Sequence, residues 1–233
     1  APMSYSLQYM QAVIMAAGEG KRMRPLTLEL PKPLIEVSGK TILEHVLDAL
    51  PDSITEIILV IGYNGDMVRA HIGGSYKGLP VRYAHQWMPA GTAHALSVAR
   101  PLITGKFLLL NADDLQGKGA LTEAVSHELS ILVAPHDHPE SMGVVSVRED
   151  GTLAEVIEKP EHPKGNLVST GGMVLDERLF SYEAARHESG EYFMTHPLNL
   201  MAKELPITVV EQPLWIPIGR PEDIATAEAK LGR

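Results

Sequence analysis

The 233-residue chain has no cysteine. Disulfides and thiolate chemistry are therefore excluded, and the absence fits a reducing compartment such as the cytoplasm. Basic charge is also scarce. Twenty Lys and Arg face 29 Asp and Glu, a formal net charge of −9. Such a chain is not expected to bind nucleic acid non-specifically, although a local basic pocket can coexist with an acidic exterior. No apolar run is long enough to span a bilayer, so no membrane partner is expected. No secretory signal is visible at the start. No internal repeat, low-complexity tract or linker interrupts the chain. What remains is a globular composition, 45% hydrophobic and 21% charged, long enough for one large α/β domain. Ala1-Pro2 ahead of Met3 reads as a tag remnant. Residues 1–9 are set aside as an extension, Met10 being an alternative start, and 10–233 is read as a single domain.

The most informative stretch runs from Gln11 to Leu34, QAVIMAAGEGKRMRPLTLELPKPL. Ala12 to Ala16 is a short apolar run suited to a strand buried on both faces. Ala17-Gly18-Glu19-Gly20 follows. Small residues there let the backbone approach a ligand, and its free N–H groups favour an anion such as phosphate. Arg22, Arg24 and Lys32 add positive charge, and Pro25, Pro31 and Pro33 stiffen the exit. This is not a Walker loop, because G-K-[ST] is missing. It is not the dinucleotide fingerprint either, because the third glycine is missing and Pro25 interrupts the expected helix.

The whole run resembles the signature of the sugar-1-phosphate nucleotidylyltransferases, G-x-G-x-R-x-x-P-L-T followed by P-K-P-L. It is carried by Gly18, Gly20, Arg22, Pro25-Leu26-Thr27 and Pro31-Lys32-Pro33-Leu34. The resemblance implies a Rossmann-like (GT-A-like) α/β fold, with a mixed, mainly parallel sheet flanked by helices and a smaller β-rich sugar-binding lobe. The nucleotide part is expected at about 10–135 and the sugar-phosphate part at about 136–233.

The apolar pattern is consistent with that. Thr41 can cap a helix through Leu50, with Glu44 placed for a capping box. Strands are expected at Glu56–Ile61, Val81–Tyr83 and Phe107–Leu110. Helices are expected up to about Ile72 and over Gly91–Ala99. Alternating strands and helices imply a mainly parallel sheet covered on both sides. The second half is richer in strands: Ile131–Val133, Val144–Val147, Leu153–Ile157 after a turn at Glu149-Asp150-Gly151, Met173–Leu175 and Ile207–Val210. Helices are expected over about Phe193–Lys203 and Pro221–Leu231.

Further motifs acquire meaning from the resemblance. Gln86, followed by Gly91-Thr92-Ala93, is similar to the base-reading segment of members that use uracil or thymine nucleotides. A Gln amide can donate to one base atom and accept from N3–H, while Gly91 lets the base approach. Ala16, Ala17, Gly18, Glu19, Gly20, Gln86, Gly91 and Thr92 are thus the expected nucleotide-binding residues. Asp113, at the tip of the Leu109-Leu110-Asn111 strand, is implied to be the Mg²⁺ ligand; Ala112 stands where glycine is usual, and Asp114 is read as a turn residue. Asn111, Gly143, Glu158, Lys159 and Thr170 are the expected sugar-phosphate contacts, with Ser169 where asparagine is common. Pro217 stands where the family has its second metal carboxylate, and His196 where it often has aspartate. His136-Asp137-His138 reads as polar surface.

The expected reaction joins a nucleoside triphosphate, UTP or dTTP favoured, to a sugar 1-phosphate with release of pyrophosphate. Arg22, Lys32 and Asp113 are its catalytic residues, and Lys159 holds phosphate. Two rivals are a catalytically weak nucleotide-sugar-binding regulator, suggested by Pro217, and a cytidylyltransferase for a non-sugar phosphate, disfavoured by the segments after residue 140. The exposed sheet edges and the last helix are the candidate surfaces for a homodimer.

Overall fold

The structure, a computed structural model, describes residues 9–232; positions 1–8 of the expected extension lie outside them. Strand β1 (Gln11–Ala16) is buried along almost its whole length. Three single turns of 3-10 helix, Lys21–Met23, Leu26–Leu28 and Lys32–Leu34, then carry the loop that contains the glycines and prolines. A small hairpin pairs β2 (Glu36–Val37) with β3 (Lys40–Thr41). Helix α1 (Ile42–Asp48) begins on the expected capping box. The Glu44 backbone N–H donates to Thr41 Oγ1 at 3.1 Å, and the Thr41 N–H donates to Glu44 Oε2 at 2.8 Å.

The chain continues through β4 (Glu56–Ile61), α2 (Gly65–Ile72), β5 (Ser75–Tyr76), β6 (Leu79–His85), α3 (Thr92–Ala99) and β7 (Lys106–Asn111). Then come β8 (Asp114–Gln116), α4 (Lys118–Ser126), β9 (Ser130–Pro135), β10 (Gly143–Val147), β11 (Leu153–Glu158) and β12 (Leu167–Asp176). The last elements are α5 (Thr195–Glu204), β13 (Thr208–Glu211), β14 (Trp215–Pro217) and α6 (Glu222–Leu231).

The main sheet has the order β11-β10-β12-β7-β1-β4-β6-β5, with β9 pairing β12 and β13. β1 lies between β4 and β7, and β6 follows β4, all parallel. β12 joins antiparallel to β7, so one mixed sheet runs through both halves of the chain. Two cores cover it. Val13, Ile58, Val60 and Phe107 belong to one, and Ala12, Ile14, Ile57 and Leu59 to the other. The alternation along β1 and β4 shows why these runs are apolar throughout: successive side chains enter opposite cores.

Among the elements not anticipated are α4, β5, β8 and β14. α4 buries only Ala120, Leu121 and Ala124, a narrow apolar face in a glycine-containing segment. β8 and β14 have three residues each and pair across about a hundred positions of chain, which no local pattern announces. Asp114 consequently opens a strand, not a turn.

Candidate functional site

The carboxyl ends of β1 and β7 meet at the middle of the sheet, where Met15 and Asn111 are in register. Loops leave both strands there, so a cleft opens above them, the usual ligand position in such sheets. Two adjoining cavities, of about 510 and 810 Å³, fill it. Arg22, Lys32, Asn111 and Asp113 line both.

The glycine loop forms one wall of the smaller cavity, from Ala16 through Gly20. Gly20 adopts a left-handed conformation (φ 61°), and its carbonyl accepts from Thr27 Oγ1 at 2.8 Å, so the loop holds its own curve. A Cβ on Gly18 would meet nothing within 4 Å, which leaves that backbone open to the cavity.

Gln86, Gly91 and Thr92 lie on the facing wall. Gln86 is buried, and its Nε2 donates to Gly91 O at 3.2 Å and lies 2.9 Å from His94 Nδ1. Both amide hydrogens are therefore engaged within the protein, and the side-chain oxygen is the group left to meet a base. Gly91 has a second reason for lacking a side chain. At φ 93°, its Cβ would lie 2.5 Å from Tyr192 O. Thr92 does not cap α3; its Oγ1 accepts from the Met194 N–H at 3.0 Å. With Ala93 N donating to Tyr192 O at 2.8 Å and Tyr192 N to Ala90 O at 2.9 Å, these bonds stitch residues 192–194 onto 90–93. Glu191 and Phe193 thereby become cavity walls. Sequence reasoning did not find them, because the stitch joins distant segments, mostly through backbone groups.

At the junction of the cavities, Lys32 Nζ lies 2.6 Å from Asp113 Oδ2. The Arg22 guanidinium lies against Gly219 and forms no salt bridge among the described residues. Burial pushes Asp114 well above the usual carboxylate range, and the neighbouring Asp113 charge adds to the shift; Lys32, Asn111 and the Trp215 indole oppose it without offsetting it. Among the described residues no three His, Asp or Glu side chains converge as a metal cage. Mg²⁺ does not need one: it takes hard oxygens, one or two carboxylates sufficing beside phosphates and water. The carboxylate of Asp113 fits that requirement, and the ammonium on its Oδ2 marks the place as cation-binding.

The larger cavity gathers Gly143, Glu158 and Lys159 with Ser169 and Gly171. Thr170 is not among them. It is fully buried, and its Oγ1 is 3.2 Å from Gln116 Oε1 and 3.3 Å from Leu132 O. β12 turns alternate residues to opposite faces, so Ser169 and Gly171 face the cleft while Thr170 faces the interior. Lys159 has a left-handed backbone (φ 43°), and its Nζ lies 3.6 Å from Glu158 Oε1 and 5.3 Å from the Phe193 ring centre. Pro217 lines the same cavity and stands opposite Asp114 in the β8–β14 ladder. His196 turns away, accepting from the Ala185 N–H at 3.1 Å. His136 and His138 line the cavity, His136 Nδ1 accepting from the His138 N–H, and belong to no three-residue metal-binding group among the described residues.

Known proteins resemble this chain in sequence and in fold. A family model described as nucleotidyl transferase matches residues 11–233. The UTP–glucose-1-phosphate uridylyltransferase AglF of Haloferax volcanii is 35% identical over 235 residues, covering 95% of this chain and 96% of that one. The bifunctional protein GlmU of Methanocaldococcus jannaschii is 30% identical over 225 residues, covering 95% of this chain and 54% of its own length. A crystal structure from Bacillus anthracis, provisionally designated a glucose-1-phosphate thymidylyltransferase, superposes with a TM-score of 0.85 at 25% identity, covering 95% of this chain and 94% of that one. With the family model matching from Gln11 to the end, and a relative aligned along nearly its whole length, the chain belongs to the nucleotidyl transferase family.

Proposed function

We propose that the protein transfers a nucleotidyl group from UTP or dTTP to a sugar 1-phosphate, forming a nucleotide sugar and pyrophosphate. The observation that carries this reading is that two cavities share one set of charged residues, Arg22, Lys32 and Asp113. A triphosphate in the smaller cavity and a sugar phosphate in the larger would meet at that junction. One oxygen of the sugar phosphate attacks the α-phosphorus in line. The new P–O bond forms as the bond to the β-phosphate bridging oxygen breaks, and pyrophosphate carries away the electron pair.

Positioning and charge neutralisation supply the catalysis. Arg22 stabilises the leaving pyrophosphate. Lys32 exchanges Asp113 for phosphate oxygens, and Lys159 grips the sugar phosphate. The open backbone at Gly18 orients the triphosphate. Asp113 is the residue that would hold Mg²⁺, which when bound neutralises phosphate charge. The Gln86 side-chain oxygen is suited to the N3–H of uracil or thymine, which supports the base preference.

The test is pyrophosphate release measured for the common nucleoside triphosphates against glucose, N-acetylglucosamine and mannose 1-phosphates, with and without a chelator. UTP or dTTP should react fastest, and the chelator should abolish release. Preference for a purine nucleotide would overturn the base assignment. Pro217, in place of a second carboxylate, favours one other reading, a nucleotide-sugar sensor. Tight binding of a nucleotide sugar with no release from any pair would decide for it.

A further inference from the structure

Gln86 owes the direction of its amide to two neighbours. Its Nε2 donates to Gly91 O at 3.2 Å and lies 2.9 Å from His94 Nδ1. The Gly91 carbonyl is held in place, because it also accepts from the Ala95 N–H of α3 at 3.0 Å. A carbonyl only accepts, so the amide nitrogen and not the oxygen must face it. The second amide hydrogen then points at His94 Nδ1, which must accept, and the ring proton therefore sits on Nε2. The His94 contact is the shorter of the two, and Gly91 O is shared between two donors. His94 lies in the first turn of α3 and lines neither cavity. Its ring makes no other hydrogen bond among the described residues, so its one polar contact is with the amide on the cavity wall.

We propose that His94 is a positioning residue that sets base selectivity. By accepting from Gln86 it keeps the side-chain oxygen turned to the base and bars the rotated amide. This rests on the base reading above and adds the means by which cytosine is refused. Uracil and thymine carry an N3–H, which the oxygen accepts. Cytosine has a bare, accepting N3 at that place, and only a rotated amide could offer it an N–H. Rotation turns Oε1 towards two acceptors, His94 Nδ1 and Gly91 O. Without the imidazole only the carbonyl opposes it, from the longer distance. Selectivity thus comes from an alternative made costly as well as from a bond made.

The test measures Kd for UTP, dTTP and CTP by titration calorimetry with no sugar phosphate present, so the readout stands apart from the transfer reaction. Wild type should bind UTP about 30- to 100-fold more tightly than CTP. His94→Leu removes the acceptor and should narrow that gap to about fivefold or less, with UTP weakened and CTP unchanged or tighter. His94→Asn can place Oδ1 where Nδ1 stood and should bring the gap back to within about threefold of wild type. Should His94→Leu not fold, as judged by thermal melting, the ring itself decides: ¹H–¹⁵N spectra of the wild-type imidazole should show the Nε2–H tautomer. A gap retained in His94→Leu, UTP and CTP weakened alike, an Asn variant no better than Leu, or an Nδ1–H tautomer would each overturn the proposal while leaving the base reading intact. Wild type that binds the three pyrimidine nucleotides equally would sink the base reading, and the role of His94 with it.

Discussion

Lys32 Nζ and Asp113 Oδ2 lie 2.6 Å apart, and the two partners differ in environment: the lysine side chain is 8% exposed, the aspartate 39%. The same pair therefore stands between the two cavities and blocks neither. Lys32→Met should lower kcat by about 10²- to 10³-fold, the usual cost of removing a fixed charge from a developing oxyanion. Stability should change by only about 1 kcal/mol, because the orphaned Asp113 is open to water. Pyrophosphate release and a denaturation curve would separate the two effects. A large fall in stability with a normal rate would contradict the assigned role.

Gly91→Ala tests the stitch between residues 90–93 and 192–194. The added methyl would enter at 2.5 Å from Tyr192 O on a left-handed backbone. We expect a loss of about 2–4 kcal/mol in urea denaturation and a raised KM for nucleotide, since the Phe193 wall is displaced.

Thr170→Val distinguishes structure from site. Removing a buried hydroxyl shared between Gln116 and Leu132 should cost about 1–2 kcal/mol of stability. The catalytic constants should stay within about threefold of wild type, because the side chain faces away from the cleft. A tenfold loss of kcat/KM in a fully folded variant would place Thr170 back among the sugar contacts.

Asp48 governs part of the acid stability. Partial burial would raise its pKa, but hydrogen bonds from Lys40, Lys77 and Tyr76 prevail and hold it well below the usual carboxylate range. A depressed folded-state pKa stabilises above the unfolded value, near 4, and that contribution is lost as pH falls through the folded one. Asp48→Asn should therefore cost about 1 kcal/mol at neutral pH, with wild type and variant converging as the solution is acidified below about pH 4. A gap that widened on acidification would contradict the assignment.

Much of the fold was legible because its signals are local. β1 and β4 are apolar at every position that enters either core, and the Thr41–Glu44 box spans four residues. The glycine loop was legible for the same reason. Non-local relations were not. The pairing of Asp114 with Pro217 depends on where the chain returns after a hundred residues. Thr170 lies outside the cavity lining because alternate residues of β12 face opposite ways, a phase the motif does not reveal. Gln86 lines the cavity, and the engagement of its amide nitrogen with Gly91 and His94 depends on the folded loop.

The place of β12 bears on how the molecule could be divided. It lies between β7 and β10, and it also pairs with β9. A fragment ending at Pro135 would keep the glycine loop and Gln86 but strip the neighbour from one side of β7, baring a run of unpaired amides and carbonyls. The nucleotide-side half is thus not an autonomous module, and dissection by truncation would yield a sticky, self-associating remnant instead of a minimal triphosphate binder.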